Sequence, residues 1–350
     1  MAERLRWGII GTGNIARQFS AGVNASTRGR LVAVASRSAD SALAFARAHS
    51  IPVHYGSYAQ LLTDGNVDAV YVSLPNSLHH EWTVLALQAG KHVLCEKPLA
   101  SNAAESQQMF DEAERAGRLV MEAFMYRCHP QTRAVLDAVR SGAIGQLKLI
   151  RTSFCYRTTR VAENIRFRPD LAGGALMDVG CYCLSFSRLI AGAEPIDSSA
   201  TGHVHESGVD DLVAGLLRFG GAAGDRSNPV LATFTCGMGV QADNTAYVCG
   251  SEGYIEIPVP WKPPVNGATY TLAHSTPPKM DLAAMHKSAS PLAPPRQTFT
   301  VDAGIDVFGV EADDFAASVL DGRPARVSRQ DTIGNMQLLD RMRKLVLISH

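Results

Sequence analysis

Three groups of residues have types and spacings suited to redox chemistry on a hydroxyl-bearing carbon. The first is Glu96-Lys97-Pro98, which closes the run Gly90-Lys91-His92-Val93-Leu94-Cys95. Residues 92–95 read as a short buried strand, so Lys97 stands just past a strand's carboxyl end. In open parallel α/β sheets ligands bind at that edge, where a cation can shift the pKa of a neighbouring acid. The second group is Gly11-Thr12-Gly13-Asn14-Ile15-Ala16. It follows an apolar strand at 7–10 and opens a helix at 15–23, the context in which GxGxx(G/A) binds a dinucleotide. The glycines let the backbone approach a pyrophosphate, and the helix N-terminus offers N–H groups and the positive dipole end. The third is Gly173-Gly174-x-x-x-Asp178-x-Gly180-x-Tyr182. Asp178 and Tyr182 are four apart, so one helix face presents both.

The residue about 20 positions beyond the glycine turn selects the nicotinamide cofactor. An acid there would bond the ribose hydroxyls of NAD and repel a 2′-phosphate. This chain has Ala35-Ser36-Arg37-Ser38 instead. Hydroxyls and a guanidinium suit a phosphate, so the expected cofactor is NADP rather than NAD, with Ser36, Arg37 and Ser38 around the 2′-phosphate. Removing hydride from an alcohol also needs a base for its proton, best with a pKa near the working pH. A free tyrosine titrates near 10. The expectation is that Tyr182 accepts the proton, Lys97 lowers its pKa and binds the substrate hydroxyl, and Asp178 orients the group. No metal site is expected. Tyr126 and Arg127 follow the last parallel strand, and Phe154 and Arg157 end a later strand. Their aromatic faces and donor forks suit a sugar, so they are candidates for the substrate pocket.

Residues 7–16, Leu74-Pro75-Asn76-x-x-His79, Glu96-Lys97-Pro98 and the Gly173–Tyr182 motif together resemble the Gfo/Idh/MocA oxidoreductase family. Tyrosine at 182, Gly56-Ser57-Tyr58 and Met121-Glu122-Ala123-Phe124 are most similar to its branch of dimeric dihydrodiol dehydrogenases and NADP-dependent D-xylose dehydrogenases. The resemblance covers nearly the whole chain. It implies a Rossmann domain followed by an α/β domain whose open antiparallel sheet forms a homodimer interface. It also implies that Pro75, Asn76 and His79 line the nicotinamide side with Glu96 nearby, while His80 is a bystander. The activity implied is hydride transfer between NADP and a sugar or cyclic polyol, first D-xylose or D-glucose oxidised at the anomeric carbon. Trans-dihydrodiol oxidation, reduction of a keto-sugar such as 1,5-anhydrofructose and sugar–sugar oxidoreduction are alternatives. A nucleotide-responsive regulator is the non-enzymatic one.

The elements that must position these residues change character along the chain. Up to residue 125, short apolar strands (7–10, 31–35, 69–74, 92–95, 119–124) alternate with helices (15–23, 42–48, 82–89, 102–116), the pattern of a doubly wound parallel sheet. Residues 1–125 are therefore read as the Rossmann domain and 126–350 as an α+β domain. The latter starts with a helix at 130–140, a strand at 146–156 and an apolar helix at 176–190. Strands then follow one another at 211–219, 230–238, 245–250 and 254–259, as in a mainly antiparallel sheet. Residues 220–228 read as a hairpin loop, Pro258 to Pro295 as a long irregular excursion, and Ser328-x-x-Asp331 as a box capping a final helix.

The 350 residues are 46% apolar and balance 33 basic against 33 acidic side chains. Zero net charge disfavours a general nucleic-acid binder. No apolar run approaches the roughly 20 residues that span a bilayer, and no leader pattern opens the chain. Seven scattered cysteines without a CxxC pair suggest reduced thiols in a cytoplasmic protein.

Overall fold

The computed structural model describes residues 3–220, 227–274 and 295–348. Its first sheet has six parallel strands: β1 (Leu5–Ile10), β2 (Gly29–Ala35), β3 (Val53–Tyr55), β4 (Ala69–Val72), β5 (His92–Glu96) and β6 (Val120–Ala123). Their order is β3-β2-β1-β4-β5-β6. The chain winds outward from β1 in both directions, so the cleft opens at the carboxyl ends of β1 and β4, where ligands bind in such sheets. The helices between these strands are α1 (Asn14–Ala25), α2 (Ala39–His49), α3 (Tyr58–Leu62), α4 (His79–Gln88) and α5 (Ala103–Ala116). The sequence reading omits β3 and α3, both too short for a periodic signal.

Two short helices, α6 (Met125–Cys128) and α7 (Pro130–Arg140), lead into the second sheet. It contains β7 (Leu147–Cys155), β8 (Pro195–Val204), β9 (Asp210–Phe219), β10 (Val230–Gly237), β11 (Ala246–Gly250), β12 (Gly253–Ile257), β13 (Ala268–His274) and β14 (Arg296–Val301). The order is β14-β13-β12-β11-β7-β10-β9-β8, antiparallel except for β7 beside β10. The α/β class with a parallel and a mainly antiparallel sheet is thus as expected. β13 lies inside the stretch read as an irregular excursion, because its few apolar residues, Ala268, Tyr270, Leu272 and Ala273, stand among many turn residues. Residues 221–226 of the expected hairpin loop and 275–294 of the excursion lie outside the described residues.

A wide helical turn at Leu176–Gly180 continues into α8 (Cys181–Ala191) beneath this sheet. Pro169–Ala191 is, against expectation, long and apolar enough to cross a bilayer. However, 83% of its most apolar stretch is buried inside the protein. The chain ends in α9 (Val307–Asp321) and α10 (Arg329–Ile348). α9 has no sequence signal because it is buried on more than one face, with Phe308, Glu311, Ala312, Phe315 and Ala316 all inside. It packs back onto the first sheet: Trp7 lies between Phe19 of α1 and Phe315 of α9, at ring-centroid distances of 5.2 and 5.1 Å.

Candidate active site

A cleft of ≈ 940 Å³ is lined on one side by the strand ends of the first sheet and on the other by residues following β7 and in the turn before α8. At its cofactor end Gly11 takes φ +102°. Gly13 is the N-cap of α1, with no side chain bonded to the free N–H groups. A methyl group added at Gly13 would meet nothing within 4 Å, so the first turn of α1 opens directly on the cleft. Ser36 and Arg37 line the same end, and Arg37 reaches the Tyr58 hydroxyl. The uncapped helix start with a hydroxyl and a guanidinium beside it fits a dinucleotide bearing a 2′-phosphate. Ser38 is placed differently from expectation. It caps α2, accepting from Ser41 N at 3.3 Å, the role a serine directly before a helix favours.

Pro75, Asn76, His79, Glu96 and Lys97 line the middle of the cleft. His79 is fully buried, each ring nitrogen 2.9 Å from a carbonyl, Pro98 O and Leu74 O, and burial lowers its pKa. Its imidazole thereby ties the end of β4 to the Lys97-Pro98 segment. Asn76 donates to Ala172 O at 2.9 Å, joining the two walls. Glu96 accepts from the Tyr71 hydroxyl and from Lys97 N, and burial raises its pKa.

Lys97 Nζ donates to Asp178 O at 2.6 Å and to Asp178 Oδ1 at 3.2 Å, and lies 5.1 Å from the centre of the Tyr182 ring. Asp178 Oδ2 accepts from Arg166 Nε and from the Tyr156 hydroxyl, both at 2.7 Å. Burial alone would raise the Asp178 carboxyl. The adjacent Lys97 and Arg166 outweigh it and hold the group far below the usual range, and Asp178 in turn keeps Lys97 above its ordinary value. The ammonium, carboxylate and phenol therefore meet in the cleft, but not as anticipated. The ammonium lies against the face of the phenol, and the Tyr182 hydroxyl donates to Met125 Sδ at 3.3 Å. Burial, then the Glu96 charge, pushes this phenol well above 10. Lys97, against the ring face rather than the hydroxyl, does not offset this rise.

Two glycines hold the second wall in place. Gly174 has φ +118°, and a side chain there would run into Asp210 Oδ1. Asp210 accepts from Leu176 N at 2.7 Å, capping the helix that carries Asp178 and Tyr182. Gly173 lies so close to Arg166 O that any side chain would collide with it. The Gly173-Gly174 pair therefore brings the Arg166 segment and the Asp178 helix together.

Residues 5–124 match the model of the oxidoreductase family with an NAD-binding Rossmann fold, and residues 132–256 match the GFO/IDH/MocA C-terminal domain. Mouse trans-1,2-dihydrobenzene-1,2-diol dehydrogenase is 38% identical over 262 residues, 74% of this chain and 76% of the relative. The chain belongs to the Gfo/Idh/MocA oxidoreductase family. D-xylose 1-dehydrogenase (NADP(+)) 2 of Haloferax volcanii is 41% identical over 63% of this chain and 67% of its own. Among solved structures, the 3-ketoreductase KijD10 of Actinomadura kijaniata, in complex with NADP and TDP-benzene, superposes with TM-score 0.84 at 30% identity over 98% of both chains. The aldose–aldose oxidoreductase of Caulobacter crescentus shares the fold, with TM-score 0.82 at 24% identity over 99% of both chains.

In this Gfo/Idh/MocA chain Phe154 and Arg157 line the cleft, whereas Tyr126 and Arg127 do not. The Tyr126 hydroxyl bonds Ser185 Oγ at 2.8 Å, and Arg127 pairs with Asp331 at 3.0 Å. Both point into the core because α6 turns the chain away from the cleft directly after β6. Sequence reasoning missed Tyr156, Arg166, Met125, Trp261 and Lys262. Tyr156 was within reach, standing two residues from Phe154 on the same face of the chain leaving β7. Trp261 stacks on Phe154 at 5.6 Å and backs the Tyr182 ring at 6.0 Å. It comes from the stretch read as irregular and carries no local signal. Among the described residues no group of three His, Cys, Asp or Glu side chains could hold a metal ion.

Proposed function

We propose that the protein uses NADP to interconvert a hydroxyl-bearing carbon and a carbonyl in a sugar, with oxidation of D-xylose or D-glucose at the anomeric carbon as the leading reaction. The observation that carries this reading is the Lys97 ammonium, held by Asp178 against the Tyr182 ring inside a cleft that an uncapped helix start also enters. An ammonium has three N–H groups. Asp178 engages two, which leaves one for a substrate oxygen. Among the described residues the Tyr182 hydroxyl is bonded only to a thioether, a weak acceptor, so it can turn to that same oxygen at little cost. The nicotinamide, when bound, supplies or takes the hydride. In reduction Tyr182 gives its proton to the forming alkoxide. In oxidation a deprotonated Tyr182 takes the proton of the hydroxyl, and because burial raises its pKa this direction quickens as pH rises. Glu96 and Lys97 stand at the carboxyl end of β5, beside Pro75, Asn76 and His79 beyond the end of the neighbouring parallel strand β4, in support of their placement at the nicotinamide.

Oxidation of a trans-dihydrodiol is the second reading, favoured by the Phe154–Trp261 stack on the substrate side. A panel of aldoses, cyclic polyols and trans-dihydrodiols assayed with NADP and NAD separates these. NADPH binding without turnover of any member would instead indicate a nucleotide-responsive regulator.

The division near residue 125 assigns the cofactor to 1–125 and the substrate and oligomer contacts to 126–350. Support for a homodimer comes from the outer face of the second sheet. Leu212, Leu216 and Leu231 are 37%, 40% and 37% exposed there on neighbouring strands β9 and β10. Sedimentation velocity should give a dimer for the native chain and a monomer for Leu216→Lys; a native monomer removes the assignment. Seven cysteines free of disulfides support a reducing, cytoplasmic setting.

A further inference from the structure

The cleft carries more basic charge than its own carboxylates balance. Among the described residues Arg37, Lys97, Arg157, Arg160, Arg166 and Lys262 line it, against the carboxylates of Glu96 and Asp178. Both carboxylates are engaged, Asp178 by Lys97 and Arg166, and Glu96 by Tyr71 and Lys97 N. Arg37 follows β2, and Lys262 bonds Gln18 on α1. These two belong to the end where a dinucleotide's phosphates would lie. Arg157 and Arg160 do not. They continue β7 on the opposite wall, and neither forms an ion pair with a described residue.

This segment is held firmly. Tyr156 N and Thr158 N donate to Gly237 O and Met238 O, each at 3.0 Å, and Arg157 bridges Gly239. Asn244 bonds both backbone groups of Cys155, at 2.7 and 2.9 Å. Arg160 N donates to Thr158 Oγ1 at 3.3 Å, which folds the two arginines into one short turn. Tyr156, next to Arg157, bonds Asp178, and Asp178 bonds Lys97. The basic segment thus begins two hydrogen bonds from the ammonium proposed to hold the reacting oxygen.

Resting on the oxidoreductase reading, we propose that the sugar substrate carries an anionic group, a carboxylate or a phosphate ester, away from the reacting carbon, and that Arg157 and Arg160 bind it. Guanidinium groups match both anions with paired N–H donors. Two cations on one wall of a cleft, neither paired with a described carboxylate, also concentrate anions there, in a way that salt weakens.

The test compares D-glucose, D-glucuronate and D-glucose 6-phosphate, which share the pyranose and differ in charge, for the native enzyme and the Arg157→Ala/Arg160→Ala variant. The expected result is a kcat/KM at least about tenfold higher for one anion than for glucose, falling with added salt. In the variant the kcat/KM for that anion falls much further than the kcat/KM for glucose, so the advantage disappears, while the Kd for NADPH stays unchanged. The preferred anion distinguishes a sugar acid from a sugar phosphate. Equal kcat/KM for all three overturns the proposal, as does a variant that loses glucose and anion turnover alike. The same three compounds are titrated into NADPH-loaded protein with nicotinamide fluorescence as readout. If none is oxidised but the anions alone bind, and bind only with both arginines present, the anion site stands and the reaction assignment falls. If the anions bind no better than glucose, the anion site falls whatever the reaction.

Discussion

The two walls of the cleft are built in different ways. On the first wall each side chain stands at the end of a parallel strand, within one or two residues of a local signal: Gly13 after β1, Arg37 after β2, Asn76 after β4, Lys97 after β5. On the second wall Tyr156, Arg166 and Asp178 come from a strand exit, a short helical turn and the start of a longer helix, joined by one carboxylate. Backbone order sets the first wall, whereas side-chain charge sets the second. The two walls meet at one junction, where Lys97 of the first is held by Asp178 of the second, and the proposed reaction places catalysis there.

Breaking the junction from the first wall gives the largest expected effect. Lys97→Met removes the cation, leaving Asp178 with Arg166 and Tyr156 alone. Turnover should fall by about 10³-fold or more, at the upper range for loss of a positioned proton-transfer group. NADPH affinity, set at the glycine turn, should change little. A Lys97→Met enzyme that retains more than a tenth of native turnover would mean the junction is not where the reaction occurs.

Breaking it from the second wall comes next. Tyr182→Phe keeps the ring against the ammonium and deletes the hydroxyl, so kcat should drop by about 10²-fold. The pH profile decides the role. The native phenol is held well above 10 by burial, so its deprotonated fraction rises about tenfold per pH unit across the neutral range. Oxidation should climb with pH toward the alkaline limit, while reduction, which uses the protonated form, should not climb. In Tyr182→Phe the climb should vanish. If the variant keeps the native alkaline rise, another group accepts the proton.

The same contrast governs how much could be read without coordinates. The glycine turn, the cation after β5 and the i,i+4 pair Asp178 and Tyr182 were legible because a strand end or a helix face fixes where each side chain points. Arg166 was not. Nothing in residues 157–170 repeats, and its approach to Asp178 depends on Gly173 leaving room for Arg166 O. Trp261 was hidden for the same reason, since a residue in a turn is placed by what it packs on, here Phe154 and the Ser153 carbonyl. Tyr126 and Arg127 were misplaced because a strand end was assumed to continue toward the cleft, whereas α6 intervenes. Position along the chain located both sides of the Lys97–Asp178 contact, but it could not say that the ammonium faces the Tyr182 ring rather than its oxygen.

Within the first wall, Arg37→Ala should raise the KM for NADPH by about 10–100-fold, the value of a charged hydrogen bond, and leave that for NADH nearly unchanged. Steady-state kinetics with both cofactors checks this. Equal effects on the two would mean that Arg37 serves Tyr58 and α2 rather than a phosphate.

The smallest expected effect on activity belongs to Glu122, which holds the Lys97 segment from behind. It is fully buried on β6 and accepts from Leu99 N at 2.9 Å, two residues beyond Lys97. Burial raises its pKa from 4.5 to about 7, with hydrogen bonds from Thr332 and Leu99 N, then the Arg188 and Arg127 charges, only partly opposing the rise. Between these values the folded protein keeps a proton that the unfolded chain has released, so stability falls as pH rises from about 4.5 to 7 and stays lower above that. The full difference is about 3 kcal/mol at roughly 1.4 kcal/mol per pKa unit. A glutamine side chain in its place cannot ionise, yet the amide oxygen can still accept from Leu99. Glu122→Gln should therefore raise Tm by several degrees at pH 8, lose that gain near pH 4, and leave kcat and KM close to native. Thermal melts at the two pH values check the sign. An equal gain at both would trace it to packing rather than to a buried charge. A fall in kcat would show that the first wall, like the second, depends on a carboxylate for its geometry.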